Sequence, residues 1–493
     1  MRGILGGLTV VVVLTISQFT LAARDSVVVG MRLEPPGLDP TMGAAAAISQ
    51  ITLYNIFEGL TRIDERGEVG PGLATGWTVS DDLKTFTFKL RQGVRFSDGS
   101  AFDSADVKFT FERNASEQST NKRKSRFENM ESLDAPDPQT LVIRLKEPNP
   151  LLLFNLGEST AVVVSPETAE TNATHPVGTG PFRFVKWTKG DSVVLERNPQ
   201  YRSPGDIKLS KVTFKFVGDA NAQVAAMMAG DVDVFPRIGA LETLKQFEND
   251  PRFQVLQGTT EGETILSTNN ERPPLDDVRV RCAIAHAINR EEIINGSEFG
   301  YATPIGSHFP PHHPAYVDLT DLRAHDLDKA RALLKEAGYE GGLELTLQLP
   351  PPEYARRSGE IIAAQLAKAG IKVSIENVQW ARWLDVVYKQ RNYDLSIVSH
   401  VEPNDISIYA NPDYYFQYDS QEFRDIIAKA DTVLDTKERY AHLREAQRKL
   451  ATDCVNGFLF QLAKAGVARR ELKGLWQNWP MFVNDMAAVH WED

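Results

Sequence analysis

Glu402 and Asp405 stand in one short polar run, His400-Val401-Glu402-Pro403-Asn404-Asp405, whose carboxylates suit an amine or a guanidinium of a bound guest. Aromatic residues gather around that run in the sequence: Tyr409 follows it, Trp380 and Trp383 precede it, and Tyr354 follows three prolines. Aromatic walls with a few polar anchors are the usual make-up of a concave small-molecule site. Nothing in the chain argues for bond-breaking chemistry, because there is no GxSxG or HExxH pattern and isolated Ser, His and Asp are too common to count. A secreted hydrolase is therefore the weaker class. His308, His312 and His313 invite a metal reading, but Pro310, Pro311 and Pro314 forbid the helix that would align them. No metal and no cofactor is expected.

The elements that must position these residues lie in a run alternating strand and helix. Glu344 to Leu349, Ile371 to Asn377 and Tyr393 to Ser399 read as strands; Ala355 to Ala369 and Ala381 to Lys389 read as helices. Such a β-α-β-α-β run makes a parallel sheet with right-handed crossovers, and ligands bind beyond the carboxyl ends of its strands. That rule brings Pro350 to Tyr354, Val378 to Trp383 and His400 to Asp405 to one rim. Earlier, Thr85-Phe86-Thr87-Phe88-Lys89-Leu90 alternates strictly, with Phe86, Phe88 and Leu90 on one face. Val94 to Phe96 resumes as a second strand, and Asp103 with Asp106 caps a helix carrying Val107 and Phe111.

The 493 residues are enough for two or three lobes, and 42% apolar with 24% charged residues is ordinary for a folded protein. A formal charge of −12 argues against a nucleic-acid partner. Residues 1–23 read as a signal peptide: Arg2, an apolar run from Ile4 to Phe19, and small residues for cleavage after Ala22 or Ala23. An uncleaved anchor is the weaker alternative, since Thr9, Thr15, Ser17 and Gln18 dilute the run. A diffusible periplasmic protein is expected. Cys282 and Cys454 read as buried free thiols, with pairing in an oxidising compartment as the alternative.

Several stretches in order resemble the solute-binding proteins, family 5, that feed peptide, opine and nickel-chelate ABC importers. They are Leu38-Asp39-Pro40, Glu58-Gly59-Leu60, Leu90-Arg91-Gln92-Gly93-Val94-Arg95-Phe96 with Asp98-Gly99, Gly178-Thr179-Gly180-Pro181-Phe182, Glu196 to Tyr201, Val278 to Arg281, and Ala330 to Tyr339. The resemblance implies an α/β fold, a two-lobe periplasmic binding protein (type II) with an additional subdomain on the first lobe. Its expected division is 24–60, 173–262 and 467–493 for the first lobe, 61–172 for the satellite subdomain and 263–466 for the second lobe. It further implies a monomeric, non-enzymatic receptor that closes on a peptide-like or opine-like solute and delivers it to an inner-membrane permease. The expected solute-binding set is Met42, Tyr354, Trp380, Trp383, His400, Glu402, Asn404, Asp405 and Tyr409. A metal-chelate binder using His400 is the alternative within the family. Peptide-binding relatives carry an Asp after a Gly-Trp pair where this chain has Ser399 to Asp405, and dipeptide binders an Arg where it has Pro350-Pro351-Pro352.

Overall fold

Alternation of apolar residues builds the smaller sheet first. Strand Thr85–Leu90 buries Phe86, Phe88 and Leu90 and exposes Lys89, as the period of two requires. The computed structural model describes residues 24–43 and 45–492; the expected signal peptide lies outside the described residues. Thr85–Leu90 pairs with Ala74–Val79 and Thr140–Leu145, and Met130–Asp137 completes a four-stranded sheet. Helix Ser104–Ala115 packs on it through Val107 and Phe111. Its cap is reciprocal: Asp103 accepts from Ala105 N at 2.7 Å while Asp106 accepts from Asp103 N at 2.8 Å. The strand expected at Val94 to Phe96 shrinks to one bridge, Arg95 with Ala101, though Val94 and Phe96 are buried. The segment is too short to extend a ladder, and its side chains still reach the core.

A larger sheet runs, in spatial order, Ile371–Asn377, Leu343–Leu349, Leu395–His400, Phe253–Thr268, Asn456–Arg469, Val234–Phe235, Ser26–Met31, Lys211–Phe216, Ser192–Arg197 and Phe182–Thr188. The alternating run is realised: Leu343–Leu349 pairs in parallel with both Ile371–Asn377 and Leu395–His400. Helix Glu353–Lys368 buries Ile362 and Leu366 against them. The helix expected from Ala381 begins at Trp380 and widens after Trp383 into a π-type turn through Lys389.

The apolar interior is divided. Val29, Tyr54, Phe57, Phe182, Phe214 and Met486 pack at one end of the large sheet; Leu266, Ile284, Leu347, Ile362 and Ile397 pack at the other. The two long antiparallel strands Phe253–Thr268 and Asn456–Arg469 run between these cores. Gly466 is required there, since a Cβ would lie 2.2 Å from the Phe235 carbonyl oxygen and 2.5 Å from that of Pro236.

Cys282, in helix Val278–Ala287, is disulfide-bonded to Cys454, just ahead of strand Asn456–Arg469, with Cα atoms 5.2 Å apart. This corrects the expectation of free thiols. Both residues are buried, as their apolar neighbours suggest, but a separation of 172 residues conceals that the helix packs beside the start of that strand. Closing so long a loop restricts the unfolded chain, so replacing both cysteines with Ser is expected to lower stability by about 2–5 kcal/mol, read as a fall in the urea midpoint. An unchanged midpoint would show that the cross-link contributes nothing.

Candidate functional site

Three histidines that the sequence leaves unassigned hold the loop after strand Leu395–His400 and the crossing strand beside it. His308 is 1% exposed and lies between two carboxylates, with Nε2 2.8 Å from Asp405 Oδ1 and Nδ1 3.0 Å from Glu263 Oε2. His312 meets Glu261 at 2.7 Å and the Thr259 hydroxyl at 2.6 Å. His313 meets Asn404 Oδ1 at 3.0 Å and stacks on Phe309, ring centres 4.0 Å apart. Asn404 itself turns the loop at φ 60°, a left-handed conformation that Asn tolerates. Each histidine therefore ties part of the loop or of the crossing strand to segment 307–313.

Burial opposes a charge on His308, but Glu263 and Asp405 outweigh it and raise the imidazole to about 10. Burial pushes Glu263 up to about 8, with His308 opposing only in part. Near neutrality His308 is thus held as an imidazolium between the two acidic side chains. Ligand atoms of Glu263, His308 and Asp405 all lie within 4.8 Å of one another, yet both imidazole nitrogens face carboxylates, the geometry of an ion-pair bridge. Burial drives His313 down to about 3 and His400 down to about 4, leaving both neutral.

Glu402, at the tip of the loop, forms an ion pair with Arg123, which precedes helix Lys124–Glu128 of the segment carrying the small sheet. That pair crosses a gap. A pocket of about 70 Å³ lies around it, lined also by Ser49, Leu53, Lys122 and Glu261. Trp479 and Phe482 form part of its wall and also line a cavity of about 600 Å³ reached by Arg32, Gln50 and Arg237. On the other side of the loop, Asn404 and His313 line a separate cavity of about 410 Å³ with Trp77, Phe86, Phe154 and Arg439.

The residues expected at the site divide sharply. Glu402 lines the gap, and Asn404 and Asp405 hold its loop in place. Tyr354 accepts a hydrogen bond from Ser399 N at 3.1 Å and so fixes the strand end. His400 meets the Tyr415 hydroxyl at 3.0 Å inside an aromatic cluster. Trp383 is 5% exposed and donates to Ser396 Oγ at 2.9 Å, and Tyr409 is 2% exposed and accepts from Asn456 at 3.2 Å. Those two aromatics belong to the core because each finds a polar partner inside it. Trp380 is exposed and packs edge-on against Trp383, and Met42 is exposed with its carbonyl bound by Thr120. Sequence reasoning missed Lys122, Arg123, Arg237, Glu261 and Trp479. Only Trp479 carried a signal, since the tail was expected to return to the first lobe.

A sheet split into two packed ends, joined by crossing strands and facing each other over a cleft, is the type II periplasmic binding protein architecture. The chain belongs to the bacterial extracellular solute-binding proteins, family 5, whose model matches residues 68–424. It is 32% identical over 367 residues to the glutathione-binding protein GsiB of Salmonella paratyphi A, covering 73% of this chain and 71% of that one. HbpA2 from Haemophilus parasuis superposes with a TM-score of 0.86 at 23% identity, over 95% of this chain and all of that one. The periplasmic binding protein DppA from Helicobacter pylori, in complex with peptide STSA, superposes at 0.73 with 26% identity over 95% of this chain and 98% of that one. Proteins of this family serve ABC importers by capturing a solute and passing it to a permease.

The raised His308 and Glu263 both mean that the folded chain holds protons the unfolded chain has released. His308 contributes stability in full below its ordinary 6.5 and loses it as pH rises through about 10, and Glu263 acts in the same direction between 4.5 and about 8. Stability should therefore fall with rising pH over that span. His308→Gln should flatten the part above pH 6.5 in urea midpoints measured at successive pH values; an equal slope in both proteins removes the bridge from the account.

Proposed function

We propose that this chain is a periplasmic receptor for a peptide-like solute bearing a free amine, with Glu402 as the amine anchor, and that it hands that solute unchanged to an inner-membrane permease as a monomer. The observation that carries the reading is the Arg123–Glu402 ion pair. It spans the cleft with side chains 28% and 51% exposed, so it is worth little by itself and exchanges readily. An α-amino-acid group offers both halves of that pair: its ammonium replaces Arg123 on Glu402, and its carboxylate replaces Glu402 on Arg123. Glutathione, for which the relatives are named, carries such a group, and the peptide bound to the structural relative carries a free amine. Glutathione and short peptides are therefore the first solutes to test.

The moving bodies in this reading are 24–60, 173–262 and 467–493 together with 61–172 on one side and 263–466 on the other. Solute contacts present only in the closed form supply the closing free energy. Among the described residues no helix is long and apolar enough to cross a membrane, and the disulfide suits an oxidising compartment.

Glu402→Gln should weaken binding of an amine-bearing solute about tenfold or more, the worth of one hydrogen bond to a charged group. N-acetylation of that solute should cost wild type a similar factor and cost the variant little. Isothermal titration of glutathione and its N-acetyl form reads both, and equal affinities of wild type and variant for glutathione reject the anchor.

A further inference from the structure

The cavity of about 600 Å³ is lined by two arginines that make no close ion pair. Arg32 and Arg237 both line it. Among the described residues neither guanidinium has a carboxylate within 4.0 Å. Glu34, on the same wall, is turned elsewhere: its carboxylate accepts from Trp187 Nε1 at 2.9 Å and from Gly190 N at 3.1 Å. Arg32 and Arg237 are both exposed side chains that line the cavity, and protein packed near Arg237 still removes part of its hydration. Desolvation therefore holds its pKa below the ordinary value, with the charge of Arg32 acting in the same direction and Glu298 against it.

The rest of the wall is also incomplete. Trp479 is 3% and Asn484 5% exposed, and each keeps one buried polar atom, Nε1 and Oδ1, without a partner. Apolar surface from Met31, Ile238 and Phe482 encloses the same space. Planar guanidinia suit carboxylates, which they grip with paired hydrogen bonds.

We infer that Arg32 and Arg237 form a second anchor, a carboxylate subsite on the first lobe, so that the solute carries an amino-acid group at Glu402 and Arg123 and a further carboxylate at its distal end. This rests on the proposed reading of Glu402 and narrows it from peptide-like solutes to those with a second acid group. A solute bound at both anchors runs past Trp479 and Phe482, the residues common to the two spaces.

The test is isothermal titration of the full chain with glutathione, its glycine amide and its N-acetyl form, using wild type, Arg237→Gln and Arg32→Gln. Wild type is expected to prefer the acid to the amide about tenfold or more. Each variant should reduce that preference to less than about threefold while keeping the penalty for N-acetylation, which also shows that it is folded. Equal binding of acid and amide by wild type, or an acid preference that survives both substitutions, overturns the carboxylate subsite and leaves the amine anchor standing. Loss of the N-acetyl penalty in wild type overturns the amine anchor, whereas binding of none of the three compounds overturns both.

Discussion

The interruption of strand pairing between Thr259 and Glu263 is the constraint on which the molecule turns. On one side the two crossing strands form a continuous antiparallel ladder, Phe253 to Thr259 against Arg469 to Ala463; on the other, Glu263 onward pairs with Gln461 to Asn456 with a second register shift between Thr264 and Ile265. In the gap the backbone groups find other partners: Gly262 N donates to the Thr260 hydroxyl at 3.0 Å, that hydroxyl donates to the Leu462 carbonyl at 2.9 Å, and Thr260 bridges to Trp479. A bulge of this kind bends a strand without exposing its polar groups. It also delivers Glu261 to the wall of the pocket around Arg123 and Glu402.

Two ion pairs next to that bend differ in kind. The imidazolium of His308 is buried between Asp405 and Glu263, and removing one member of a buried ion pair costs on the order of 3–5 kcal/mol. Arg123 and Glu402 meet partly in water, where a pair contributes between zero and about 1 kcal/mol. The loop is thereby rigid at its root and exchangeable at its tip. This is the arrangement a receptor needs, because ordering the loop on binding would subtract from affinity, whereas swapping one weak ion pair for the solute's own charges subtracts little.

Much of the fold was legible because period and punctuation are local. Phe86, Phe88 and Leu90, the reciprocal cap of Asp103 and Asp106, and the parallel strands around Leu343–Leu349 all follow from spacing within a few residues. The family motifs fixed the architecture for the same reason. The site was legible only to the level of a rim. Strand order says which loops share an end of the sheet, but not which of them leans over the cleft. That depends on His308 and His313, about 90 residues before the loop they hold. Trp383 shows the limit most clearly, since an indole at a strand end serves a cleft or a core equally well until a partner such as Ser396 Oγ is known. The disulfide and the Arg123–Glu402 pair were hidden in the same way, by separations along the chain that carry no information about distance in space.

Charge distribution connects these features to selection of a guest. The chain is acidic overall, but total charge does not act inside a cleft walled by protein; the groups that line it do. There the carboxylates are largely engaged, Glu402 by Arg123, Glu158 by Arg126, Glu261 by His312 and Glu34 by Trp187. Arg32 and Arg237 are not, and Lys122, beside Arg123 and Arg126, is held below its ordinary pKa by desolvation and by those two cations. A cavity with surplus positive charge resists closing empty, since closing removes the water that screens it. A guest that brings the missing negative charge turns that cost into attraction. In the inferred carboxylate subsite, a guest that brings negative charge to Arg32 and Arg237 gains contacts that favour the closed form.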